Sequence, residues 1–244
     1  NNNTITMKGD KSYGIAIGRD NNGLQPSSSA TNNGIINLEG DESGGIAILH
    51  DMQGGIKNTA NGVINVSGEN SFGIYSKINK NYDNDGTINI IGSKNKSMGL
   101  RMETAGASLT NKNLISISST GSDNIGIYAS NGNVTNDSGA TITAQEGSSV
   151  GIYAKIAGND NRTVSNAGTI SLENPNGKDY TSLIGMFAQG TASSKAGVTN
   201  KASVKNTGTI NIGTKESVGM YAENNTGNLA DVDLHNAETI NINS

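Results

Sequence analysis

The sequence predicts an all-β fold, a right-handed parallel β-helix (solenoid) of about eight rungs, with three short strands in each rung. Two apolar boxes recur along the chain, separated by turn formers in a composition that has 33 glycines, two prolines and no tryptophan. A repeat of this size stacks into a solenoid because one unit cannot bury its apolar face alone. The repeat of roughly 25–34 residues therefore determines the expected architecture before any local detail.

The first element of each rung, here named the isoleucine box, reads most clearly as NTGTINI from residue 206. Its copies are centred on Ile5, Ile36, Ile64, Ile88, Ile115, Ile142, Ile170, Ile210 and Ile240, at spacings of 24 to 31 residues with one of 40. Alternate side chains of a strand face opposite sides, which sends Ile210 and Ile212 inward and leaves Thr209 and Asn211 outward.

The second element, the glycine box, occurs eight times and reads VGIYA from residue 150. The same alternation predicts that Val150, Ile152 and Ala154 face inward and that Gly151 and Tyr153 face outward. Each copy is therefore expected to be the second strand of its rung.

The third element is a corner at which an apolar residue is followed by any residue and then by asparagine. The asparagines are Asn58, Asn84, Asn111, Asn136, Asn166, Asn206 and Asn236. Asparagine tolerates a left-handed backbone, and its side-chain amide can bond to the equivalent amide one layer away. Both properties suit a sharp corner in a stack of rungs.

The chain is expected to be one β-helix segment over residues 1–244, cut from a longer protein, with insert loops near 18–33, 173–183 and 189–203. Both prolines, Pro26 and Pro175, lie in these insertions, where no ladder hydrogen bond is lost. The net charge of −4 gives no electrostatic reason to bind nucleic acid. No apolar run has membrane-spanning length, so direct membrane insertion of this segment is not expected. The absence of cysteine excludes disulfides and thiolate metal sites.

The recurrent GIYA and N-x-G-T-I-N-I boxes, together with the richness in asparagine, glycine and isoleucine, resemble the passenger regions of bacterial autotransporter adhesins, especially the very large fusobacterial ones. The resemblance covers almost the whole chain and concerns the style of the repeat. It implies a cell-surface or secreted β-helix, anchored in the outer membrane through a C-terminal barrel. It also implies attachment to a protein or glycan on host cells or other bacteria. We expect a non-catalytic adhesin without a cofactor.

Stacked glycine boxes predict a stripe of outward side chains made of Tyr75, Arg101, Tyr128, Tyr153, Phe187 and Tyr221. Beside it we expect an exposed trough of the outward glycines Gly73, Gly99, Gly126, Gly151, Gly185 and Gly219. Ring stacking, with Arg101 as a cation over a ring, would stabilise the rod. Exposed aromatic strips also serve as contact surfaces, so the stripe is the candidate binding face.

A polysaccharide-cleaving enzyme is the alternative, because such sites need carboxylates on adjacent rungs beside a cation or an imidazole. Arg19 and Asp20 follow the first glycine box at the same offset as His50 and Asp51 follow the second. Stacking would bring the two carboxylates to about 5 Å from each other. Aspartate is also an ordinary turn former and no third rung continues the cluster. We therefore predict turn residues and no catalytic site.

Three other interpretations concern a metal site, a stalk and an ice-binding face. The NYDNDG segment from residue 81 begins like a calcium loop, but Gly92 stands where a bidentate glutamate is required, so a turn is predicted. A pure structural stalk would hold a binding tip away from the membrane. Outward pairs such as Thr209 with Asn211 form a flat polar column like those of ice-binding solenoids. Ile35 and Leu114 break that column, which favours a solvated sheet face.

Overall fold

The computed structural model describes residues 1–18, 29–50, 54–104, 106–130, 132–145, 147–156, 162–173, 182–190, 200–224 and 230–243. All the regular secondary structure in these ranges is β-strand, and the strands are numbered here in chain order. This part of the chain has no helix that could serve as a membrane span. Most of the predicted insert loops, with Pro26 and Pro175, lie outside the described residues.

The first sheet has nine strands and is formed by the isoleucine boxes. Its strands are β1 (Thr4–Met7), β4 (Ile35–Leu38), β7 (Val63–Val66), β10 (Thr87–Ile90), β13 (Leu114–Ile117), β16 (Thr141–Ala144), β19 (Thr169–Glu173), β22 (Thr209–Gly213) and β25 (Ile240–Ile242). Inward apolar residues, mostly isoleucine, alternate along these strands with outward residues that are mostly threonine, asparagine or serine, as the period of two requires.

The second sheet has eight strands and is formed by the glycine boxes. Its strands are β2 (Tyr13–Ile17), β5 (Gly44–Ile48), β8 (Phe72–Ser76), β11 (Met98–Met102), β14 (Asn124–Ser130), β17 (Ser149–Ile156), β20 (Ile184–Gly190) and β23 (Val218–Asn224). It carries the candidate site.

The third sheet also has eight strands, each of which ends at an asparagine. Its strands are β3 (Ala30–Asn32), β6 (Ile56–Asn58), β9 (Tyr82–Asn84), β12 (Ser108–Asn111), β15 (Asn133–Asn136), β18 (Arg162–Asn166), β21 (Asn200–Asn206) and β24 (Ala230–Asn236).

Every strand pairs in parallel with the equivalent strand of the next rung, so a repeated motif becomes a column in space. Ile152, for example, lies between Ile127 on one side and Met186 on the other. The predicted parallel β-helix with three strands per rung is thereby confirmed. Its interior is one continuous apolar cluster in which residues such as Ile142, Ile152 and Val164 are buried. Each such side chain contributes about 1.5–3 kcal/mol by leaving water.

The asparagine corner forms a buried ladder of side-chain amides. Each Nδ2 donates to the Oδ1 of the equivalent asparagine one rung along, as from Asn84 to Asn111 and from Asn111 to Asn136, both at 2.9 Å. The predicted amide stacking is confirmed. The predicted left-handed backbone at these asparagines is wrong, because none of them has a positive φ. The amide ladder, together with a bond from the side-chain amide to the carbonyl two residues on, as from Asn111 to Asn113 at 2.8 Å, therefore accounts for asparagine at this corner.

Left-handed residues lie instead at the turn from the first sheet to the second. They are Lys11, Glu42, Asn70, Lys96, Asp123, Ser182 and Glu216, with φ between 52° and 69°. Three of them, Glu42, Asn70 and Lys96, are followed by a buried serine, and the hydroxyl of Ser71 accepts a hydrogen bond from the backbone of Ser43 at 3.0 Å. The serine column was not anticipated, although a serine precedes many of the glycine boxes in the sequence.

The predicted alternation in the glycine box is wrong at its first two positions. Gly151 is buried, and a Cβ built on it would point at the core side chain of Ile170, 2.8 Å from its Cγ2. Val150 is half-buried and lines the surface beside Tyr153. The glycines therefore face inward, and the expected exposed glycine trough does not exist on this sheet. A residue without a side chain is needed where the strand backbone approaches the first sheet this closely.

Candidate functional site

The predicted aromatic stripe lies on the outer face of the second sheet. Its members are neighbours in the parallel ladder, in the order Tyr75, Arg101, Tyr128, Tyr153, Phe187 and Tyr221. Most are half-buried, and Tyr221 is 42% exposed. The structure thus brings all six predicted residues together.

The rings of the stripe pack on one another from rung to rung. Tyr153 and Phe187 stack with ring centroids 4.8 Å apart and an interplanar angle of 22°, and Phe187 stacks on Tyr221 at 5.3 Å and 27°. Tyr128 meets Tyr153 edge to face, at 5.4 Å and 86°. Nearly parallel rings at these distances cover each other's faces, so their edges point outward. The stack stabilises the sheet by about 0.5–1.5 kcal/mol per pair.

Arg101 belongs to a polar cluster with Tyr75 and Glu103. Its guanidinium carbon lies 5.3 Å from the centroid of the Tyr75 ring, which confirms the predicted cation–ring contact. Arg101 Nε donates to Glu103 at 3.0 Å, and the Tyr75 hydroxyl donates to the same carboxylate at 2.8 Å. Burial alone would raise the pKa of Glu103, but these hydrogen bonds and the charge of Arg101 outweigh it and lower that pKa.

Tyr75 is expected to ionise late. Its pKa is raised to about 12, first by burial and then by the hydrogen bond to the Glu103 carboxylate and by its charge. The folded state thus favours the neutral phenol, so this contribution to stability is complete below the ordinary pKa of 10.0 and is lost as the pH rises toward about 12. Burial also raises the pKa of Tyr82, Tyr128 and Tyr153. The late step of tyrosinate absorbance during alkaline titration should therefore lose the amplitude of one tyrosine in Tyr75→Phe, and part of it should move to lower pH in Glu103→Gln. An unchanged late step in Tyr75→Phe would contradict the assignment.

A second outward column runs beside the rings. It consists of the residues that precede the glycines, and Ile125, Val150, Ile184 and Val218 are successive neighbours in it. Val218 is 38% exposed. We name the surface of these four side chains with Tyr128, Tyr153, Phe187 and Tyr221 the apolar strip. The sequence contained the signal, an apolar residue before nearly every glycine, but strict alternation assigned it to the core.

Two open depressions lie along this face of the second sheet. One, of about 350 Å³, is lined by Tyr13, Glu42, Asn70, Phe72, Tyr75 and Arg101. The other, of about 330 Å³, is lined by Asp123, Ile125, Ser148, Ser149, Val150, Tyr153, Ser182, Ile184 and Phe187. The second depression lies within the apolar strip and is named the strip depression.

Comparison with known proteins identifies the family. A family model described as the BigA third pectate lyase-like domain matches residues 91–243, which include the whole apolar strip. This chain belongs to that family. Comparison with curated proteins and with solved structures gives no match. Membership in the BigA third-domain family supports the resemblance to passenger domains of autotransporter adhesins.

The pectate lyase-like description of the BigA third-domain family concerns the fold and assigns no reaction to this chain. His50 is exposed two residues after the end of β5, whereas Arg19, Asp20 and Asp51 lie outside the described residues. No group of three potential metal-ligating side chains occurs in the described ranges. In the calcium-like segment, Asp85 forms an ion pair with Lys57 at 2.6 Å and Asp83 pairs with Lys112. These carboxylates therefore connect rungs.

Proposed function

We propose that this chain is a non-catalytic segment of a bacterial surface adhesin, in which the apolar strip contacts a molecule on a host cell or another bacterium. The observation that carries the proposal is a contiguous row of apolar side chains on the outer face of the second sheet, within the matched family region. Val218 and Tyr221 are exposed, Ile125 is buried, and the other members of the strip are half-buried. Contiguous apolar surface outside the core is typical of interaction sites. Secretion to the cell surface with anchoring in the outer membrane completes the proposal.

The shape of the strip supports a contact role. Four successive rungs, about 4.8 Å apart, give it a length of about 14 Å. Its inner members are fixed by the ladder and by ring stacking, as between Tyr153 and Phe187. Little conformational entropy remains to be lost on binding, which favours affinity. Polar residues such as Asp123, Ser148 and Ser182 lie beside the apolar side chains, as at the rim of ordinary contact surfaces.

The triple variant Val150→Thr, Ile184→Thr and Val218→Thr should reduce binding of the protein to cells at least about tenfold, equivalent to about 1.4 kcal/mol. Threonine keeps the β-branched shape and the strand preference, while its hydroxyl makes the surface polar. The melting temperature should change by no more than about 3 °C, because these positions are partly exposed. Binding is measured by flow cytometry with labelled protein and stability by thermal denaturation.

The matched control is the triple variant Ile35→Thr, Val63→Thr and Leu114→Thr, at outward positions of the first sheet. It makes the same chemical change on another face and should bind as the original protein does. Equal binding by all three proteins would indicate a structural stalk. Release of unsaturated or reducing sugar from an acidic polysaccharide, lost in Asp20→Asn or Asp51→Asn, would instead show an enzyme. Either result would overturn the proposal.

A further inference from the structure

We propose that the strip depression binds one uncharged pyranose ring of a glycan. This inference rests on the proposed adhesin function and supplies the ligand class for it. The depression extends across β14, β17 and β20, and its volume of about 330 Å³ is at the lower end of the range for small-ligand sites. A site of this size accepts one or two sugar rings.

The apolar part of the depression matches the carbon-bearing face of a pyranose. Val150 and Ile184 are adjacent in the ladder, and the ring edges of Tyr153 and Phe187 stand beside them. The rings are held in place by their own stack at 4.8 Å. Desolvating C–H groups of a sugar against such a surface is favourable, and no side chain of the stack has to reorganise to receive it.

The polar part of the depression matches the hydroxyl groups of a sugar. The left-handed turns before β14 and β20 place Asp123 and Ser182 at its rim, with φ of 59° and 69°, and both residues are exposed. Ser148 lines the same side. A carboxylate accepts hydrogen bonds from two sugar hydroxyls, and such charge-assisted bonds are stronger than neutral ones. Serine hydroxyls can both donate and accept.

The charge of the lining distinguishes uncharged sugars from acidic ones. Among the described residues that line the depression, Asp123 is the ionisable carboxylate, and neither lysine nor arginine occurs. A uronate or sialate would therefore meet a like charge at Asp123. An uncharged pyranose avoids this repulsion and retains every hydrogen bond.

The test exposes the intact chain to an array of neutral, uronate-containing and sialylated glycans, followed by calorimetric titration of the neutral glycan with the strongest signal. We expect neutral glycans to bind and acidic ones to bind at least about tenfold more weakly. Asp123→Asn should weaken binding of the neutral glycan about fivefold or more, since asparagine tolerates the left-handed turn but lacks the charge. The control Glu216→Gln makes the same change at the equivalent turn beyond the depression and should bind normally.

Other outcomes separate this inference from the proposed function. Tighter binding of uronates than of neutral glycans would overturn the inference, as would no neutral binding at millimolar concentration. If cell binding still depended on the apolar strip, the adhesin function would stand with a different ligand. The depression would also be rejected as the sugar site if the triple variant Val150→Thr, Ile184→Thr and Val218→Thr lost cell binding while Asp123→Asn left the affinity for the neutral glycan unchanged.

Discussion

Replacing Gly126 with alanine is expected to lower the free energy of unfolding by about 3 kcal/mol or more, at the upper end of overpacking effects. A Cβ at this position would lie 2.6 Å from the Gly151 carbonyl oxygen of the next rung and 2.7 Å from Cγ2 of Ile142. The carbonyl belongs to a ladder strand and the isoleucine to a close-packed core. Neither can move without disturbing its neighbours.

The urea midpoint of unfolding measures this effect, with Gly55→Ala as the matched control. A Cβ on Gly55 meets nothing within 4 Å, and its φ lies outside the left-handed region. Alanine there should leave the protein unchanged or stabilise it by about 0.4–1 kcal/mol, because it restricts the unfolded chain. Equal midpoints for Gly126→Ala and the original protein would contradict the inward direction of the glycine column.

Replacing Asn111 with alanine is expected to cost about 3 kcal/mol. Its Nδ2 donates to Asn136 and to the carbonyl of Asn113, and its Oδ1 accepts from Asn84, with all three distances between 2.8 and 2.9 Å. Alanine removes these bonds at a position with no solvent exposure. Each buried polar group left without its partner costs about 1–3 kcal/mol, since water does not replace the bond.

The control for the ladder is Asn65→Ala on the outer face of the first sheet. Asn65 also connects rungs through hydrogen bonds between side-chain amides. It donates to Asn37 at 2.8 Å and accepts from Asn89 at 2.9 Å, but it is half-exposed. Water can solvate the groups that lose their partners there, so the expected cost is below about 1 kcal/mol. Similar urea midpoints for the two variants would show that burial does not determine the value of the ladder.

The inward glycine column and the asparagine ladder explain how the backbone beneath the apolar strip is kept in position. The inward glycines bring the second sheet against the first, and the asparagine ladder fixes the corner at the end of each third-sheet strand. With the backbone fixed from inside, the outward side chains of the second sheet are positioned by register alone. The proposed contact surface therefore needs no loop to order before it binds a partner.

The sequence determined the architecture because a repeat converts a motif into a column whenever equivalent strands pair. The stripe from Tyr75 to Tyr221, the amide ladder and the contact of Arg101 with a ring all followed from that register. Each depends on one side-chain position per rung. A strand period of two was sufficient to assign those positions.

The tertiary structure determined which residues of the glycine box face inward, which the alternation of side chains along a strand did not predict. The direction of Val150 and Gly151 depends on how closely the second-sheet backbone approaches Ile170, which is a contact between two sheets and not a property of either strand. The rings likewise turned their edges outward because each covers the face of its neighbour. The apolar strip and the strip depression result from these two packing contacts. The sequence thus specified which residues stack, and packing between the sheets specified which of them reach the surface.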